Sequence, residues 1–92
     1  MLTTKKLSTM PYTQAIVRNF DDTVIVLRSY ATDVAVIENN KLRIYGLYSA
    51  TTRKHIKAFC AEYANITDFS TIKMIVADSL NYDILTGEIT YR

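Results

Sequence analysis

The sequence predicts an α+β domain: an antiparallel sheet of three to four strands with one or two helices packed on one face. Three observations predict it. Residues 12–47 hold short runs dense in β-branched and aromatic residues, divided by turn residues. An Asn-Asn pair sits between two such runs, where a two-residue hairpin turn belongs. From residue 49 onward the apolar spacing changes from two to that of a helix.

The opening ten residues, MLTTKKLSTM, show no period and are expected to form a loose arm on a single domain spanning residues 1–92. YTQAIVRNF (12–20) reads as a strand, and Asp21–Asp22 as a turn. TVIVLRSY (23–30), rich in β-branched residues, is the clearest strand. ATD then bends the chain into VAVIE (34–38), a further strand. Asparagine tolerates the positive φ of a type I′ turn, so Asn39–Asn40 closes a hairpin, with Glu38 and Lys41 flanking it as an opposite-charge pair. KLRIYGL (41–47) returns as the partner strand. In that register Ile37 faces Leu42 and Ala35 faces Ile44 on an apolar side. Val34 faces Tyr45 and Val36 faces Arg43 on a mixed side that is expected to meet solvent or a partner.

A helix is expected from Ser49, whose hydroxyl suits an N-cap. Thr52, Ile56, Phe59, Cys60 and Tyr63 share its core stripe, while Arg53, Lys54 and Lys57 project outward. His55 falls roughly 90° from the stripe's centre by the helical period, on the flank. A second helix is expected over 68–82, through Phe69, Ile72, Val76, Leu80 and Asp83, with a strand through IKMIVA (72–77) as the competing reading. The tail DILTGEITYR suggests a strand or small hairpin turning at Gly87.

Hydrophobic residues make up 49% and charged residues 22% of the chain, the balance of a globular domain. No apolar run reaches the roughly 18 residues that span a bilayer, and the start lacks the apolar stretch of a signal peptide. With one cysteine no internal disulfide forms, so a reducing cytoplasm is expected. The net charge of +2 is too small to announce a nucleic-acid binder, but it is unevenly spread. Residues 41–57 carry Lys41, Arg43, Arg53, Lys54 and Lys57 and no acid, whereas acids dominate residues 58–92.

Little in the chain assembles catalytic chemistry. His55, the only histidine, is the natural acid–base candidate, but such a residue needs a positioned partner. Cys60 lies roughly 140° from it around the helix, too far for a dyad. One His and one Cys do not make a structural zinc site, and Gly46 and Gly87, the only glycines, build no phosphate-cradling loop. No cofactor, metal or enzymatic activity is expected. The seven tyrosines are more informative. Tyr45 shares the mixed hairpin side with Arg43, and Tyr12 and Tyr30 lie on neighbouring expected strands. Tyrosine with arginine anchors protein partners and also stacks bases.

SYATDVAVIENNKLRIYGLYSATTRKHIKAF (29–59) joins a Ser-Tyr-x-Thr-x-Val-Ala strand and a short hairpin to a Tyr-Ser-x-Thr-Thr-x-x-His-Ile-x-x-Phe helix. The pattern, carried by Ser29, Tyr30, Thr32, Val34, Ala35, Tyr48, Ser49, Thr51, Thr52, His55, Ile56 and Phe59, resembles small uncharacterised proteins of bacteriophages, plasmids and other bacterial mobile elements. The resemblance implies an accessory protein in a bacterial cytoplasm and supplies no catalytic residue. Small proteins from such sources often bind and block a host protein. The expected function is therefore protein binding, with Lys41, Arg43, Tyr45, Arg53, Lys54, His55 and Lys57 as candidate contact residues. Nucleic-acid binding through the basic 41–57 segment and the strand tyrosines is the alternative. Homodimerisation is expected because small sheets often cover their edges in this way. No membrane association is expected.

Overall fold

The computed structural model describes residues 3–10, 13–20, 23–77 and 80–91. Their strands are β1 (Thr3–Lys6), β2 (Ala15–Asn19), β3 (Val24–Ser29), β4 (Thr32–Glu38), β5 (Lys41–Ile44), β6 (Leu80–Asp83) and β7 (Ile89–Tyr91). The helices are α1 (Ala50–Tyr63) and α2 (Phe69–Ala77). The seven strands form one antiparallel sheet in chain order, so the expected α+β class holds but the expected three to four strands fall short. Both helices lie between β5 and β6 in the chain and bury their apolar sides in one cluster with the sheet.

The central hairpin follows its predicted register. Ala35 pairs with Ile44, Val36 with Arg43, Ile37 with Leu42 and Glu38 with Lys41. Asn39 and Asn40 have φ values of 52° and 65°, the left-handed pair that a type I′ turn demands. The expected ion pair across this turn does not form. Glu38 instead binds Arg43 at 3.0 Å, and Lys41 binds Asp83 at 2.8 Å, because β6 lies beside β5 and brings a carboxylate within reach. Strand β4 begins at Thr32 rather than Val34. Tyr30 and Ala31 alone make the turn from β3, and Asp33 pairs with Arg28 beyond a register shift. The expected Asp21–Asp22 turn and Tyr12 lie outside the described residues.

Two expectations fail for physical reasons. The N-terminal arm is not loose over its described part: Thr3–Lys6 pairs with β2, and Leu7 is fully buried. Ser8 donates from its backbone N–H and its hydroxyl to the two carboxylate oxygens of Glu62, at 2.8 and 3.0 Å, which ties the arm to the end of α1. The strand is invisible to alternation because all four of its residues are exposed; lysines on an edge strand discourage further pairing. The second helix does not run from 68 to 82. Its described span is Phe69–Ala77, and Leu80 and Asp83, which fit its helical spacing, belong to β6. Residues 71–77 are helical, so the competing strand reading of IKMIVA is also set aside. Asp68 starts this helix by accepting from the Thr71 N–H at 3.1 Å. The tail forms the β6–β7 hairpin, with Gly87 at φ 79° in its turn as expected.

The helix-facing side of the sheet carries Ala15, Val17, Leu27, Ala35, Ile37, Leu42 and Ile44, all buried. α1 sets Ile56, Phe59 and Cys60 on it, and α2 adds Ile72 and Ile75. Val34 and Val36, on the side expected to be open, are only 1% and 6% exposed. Val34, at the register shift between β3 and β4, belongs to the core cluster rather than to an open side. No helix among the described residues is long and apolar enough to cross a membrane.

Candidate functional site

β3 alternates Ile25, Leu27 and Ser29 toward the helices, so its last residue places a hydroxyl in the core. A buried hydroxyl needs a partner. Ser49 caps α1, accepting from the Thr52 N–H at 3.2 Å, as the sequence predicts. The first turns of α1 then direct Thr52 and His55 at Ser29. Ser29 Oγ lies 3.1 Å from Thr52 Oγ1 and 2.8 Å from His55 Nδ1, and the Ser49 hydroxyl reaches Thr52 Oγ1 at 3.3 Å.

His55 is not on the flank. It is fully buried, because the helix settles on Ser29 and widens its core stripe to take in the imidazole. Burial holds its pKa below the ordinary 6.5, so the ring is neutral at physiological pH. One proton arrangement satisfies the chain in sequence: Ser49 donates to Thr52, Thr52 to Ser29, and Ser29 to His55 Nδ1. The remaining ring nitrogen, Nε2, is then protonated and has no hydrogen-bond partner among the described residues. A serine oxygen 2.8 Å from an imidazole has the spacing of a nucleophile–base pair. Here Ser29 and His55 are 2% and 0% exposed, so in this conformation the pair fastens α1 to β3 and meets no substrate. Cys60 is likewise buried, which pushes its thiol up to about 12.

The surface above this cluster is aromatic. The Tyr30 ring stands 5.9 Å from the His55 ring, tilted by 42°, and the rest of the side chain faces solvent. Tyr48 immediately precedes the cap residue Ser49, and Tyr45 follows β5 beside Val34. Tyr30, Tyr45 and Tyr48 are 56%, 51% and 57% exposed, and all three gather where β3 and β5 end and β4 begins. Tyr30 and Tyr48 have φ values of 57° and 51°, a conformation costly for a bulky side chain. Gly46 leaves room for the Tyr48 ring: a Cβ there would come within 3.2 Å of it.

The seven candidate contact residues do not form one patch. Lys41 and Arg43 are already paired with Asp83 and Glu38 on β5. Arg53, Lys54 and Lys57 line the outward side of α1, with the Lys57 ammonium 5.5 Å from the Phe69 ring centroid. His55 lies in the core, and Tyr45 is the member that joins the aromatic rim. Ser29 and Tyr48 carry the resemblance but are not among the candidate contact residues, and the rim emerges only in the fold. The alternation of Ile25, Leu27 and Ser29 was a usable signal for the first, since it points a hydroxyl inward. Among the described residues, no group of three or more His, Cys, Asp or Glu is placed to hold a metal ion. A family described as of unknown function, DUF8033, matches residues 3–76, and no curated protein and no solved structure matches the chain.

Proposed function

The chain belongs to DUF8033, and from its own geometry we propose that it is a protein-binding module whose contact surface is the rim of Tyr30, Tyr45 and Tyr48. The observation that supports this most is the left-handed backbone at Tyr30 and Tyr48, two of these rim residues. Asparagine or glycine would relieve that strain, so an aromatic ring there points to a use outside the fold. Tyrosine gives a large, amphipathic contact with few rotatable bonds, which is why it recurs at interface hot spots. The Ser49–Thr52–Ser29–His55 hydrogen-bond chain, buried from Thr52 inward, supports the rim from below and limits the entropy lost on binding. With the resemblance of residues 29–59, the reading extends to a mobile-element accessory protein that binds, and blocks, a bacterial host protein.

Affinity capture from bacterial lysate tests this reading. The wild-type chain is expected to retain a defined protein that a folded Tyr45→Ser/Tyr48→Asn variant does not. Equal capture by both, or background proteins alone, overturns it. A second reading is nucleic-acid binding, favoured by the unbroken cationic row of Arg53, Lys54 and Lys57 on α1. It is weakened by the pairing of Lys41 and Arg43 with carboxylates. It requires oligonucleotide binding at low salt that falls steeply as salt is raised.

A further inference from the structure

A second surface lies away from the rim, where α1 turns into α2. Ala58 and Ala61 present small side chains one helical turn apart, and Ile66, Phe69 and Ile72 form the opposite wall. Between them is an open, mainly apolar groove of about 330 Å³ with Lys57 at its mouth. The Lys57 ammonium rests over the Phe69 ring and has no carboxylate partner among the described residues. Arg53 and Lys54 continue its charge along the helix, and residues 41–57 hold no acid to offset it.

We propose that this groove docks an acidic segment of a protein partner: one aliphatic or aromatic anchor seated against Ala61, Phe69 and Ile72, with an adjacent carboxylate on Lys57. The groove's openness favours a protein segment over a small ligand, because small-molecule sites enclose most of their ligand. A protein anchor brings its own surrounding residues to exclude water. Among the described residues, Lys57 is the only charged side chain that lines the groove, and with Arg53 and Lys54 along the helix it favours acidic neighbours. The proposal takes only the ligand's class from the protein-binding reading and nothing from the tyrosine rim.

The test is selection of a randomised displayed peptide library on the full chain. Peptides with Asp or Glu flanking a Leu, Ile, Met or Phe are expected to enrich. Their binding should disappear with Ala61→Phe, which fills the groove from an exposed helix position, and weaken about tenfold with Lys57→Glu. Replacing the peptide's anchor by Ala should abolish it. No enrichment, or enriched peptides that bind the folded Ala61→Phe variant equally well, overturns the proposal. Peptides lost only with Tyr48→Asn overturn it while leaving the rim reading intact. A single-stranded oligonucleotide that binds through Lys57, with no peptide consensus, overturns it in favour of nucleic acid.

Discussion

At the scale of single residues, His55 shows how burial decides what a titratable group does. The ring is shut in the core with one nitrogen on Ser29, and burial lowers its pKa. Its unfolded state therefore binds a proton at a higher pH than the folded state does. The neutral buried ring contributes fully above about 6.5, and that contribution is lost as pH falls from there through the folded-state pKa. Denaturant titrations are expected to show stability declining below that pH in the wild type and a flatter profile in His55→Ala. The same substitution should cost about 2–4 kcal/mol at neutral pH, since it leaves a cavity and strips Ser29 of a partner. A loss within about 0.5 kcal/mol would mean that the cluster does not fasten α1 to β3.

At the scale of elements, Ser49 carries both an N-cap and a link to the buried chain through Thr52. Ser49→Ala is expected to destabilise the fold by about 1 kcal/mol, measured by urea unfolding, with the helix retained by circular dichroism. Cys60 reports on the same helix: its buried, high-pKa thiol should react with a thiol reagent only at the rate of unfolding. Fast reaction of the native chain would contradict that packing. These features were legible because their signals are local. A capping serine before a helical stripe and a pair of asparagines between alternating runs each determine their own geometry. β1 was illegible because Thr3–Lys6 buries no side chain and owes its existence to pairing with β2. β6 was hidden because Leu80 and Asp83 happen to continue the helical spacing of α2. The burial of His55 is not legible from helical spacing because its partner Ser29 is distant in sequence.

At the scale of the whole molecule, the sheet is open, and no further strand pairs with β1 or β7 among the described residues. The lysines of β1 guard one edge, which leaves β7 as the edge through which a homodimer would form. Sedimentation at micromolar concentration is expected to give a dimer mass; a monomer mass would contradict this assembly. Function is less legible than fold because it depends on what the fold gathers. The basic residues read as one segment divide between β5, where carboxylates hold them, and the outer side of α1. Tyr30, Tyr45 and Tyr48, apart in sequence, lie at one end of the sheet. In the proposed function, Tyr30 and Tyr48 hold strained backbone for the sake of binding. This role is tested most directly by measuring unfolding free energy and partner capture on one Tyr30→Asn/Tyr48→Asn variant. Stability within about 1 kcal/mol of wild type is expected, relief of the left-handed strain offsetting lost ring contacts, together with loss of capture. A fall of more than about 2 kcal/mol with capture intact would make these tyrosines part of the fold and contradict that role.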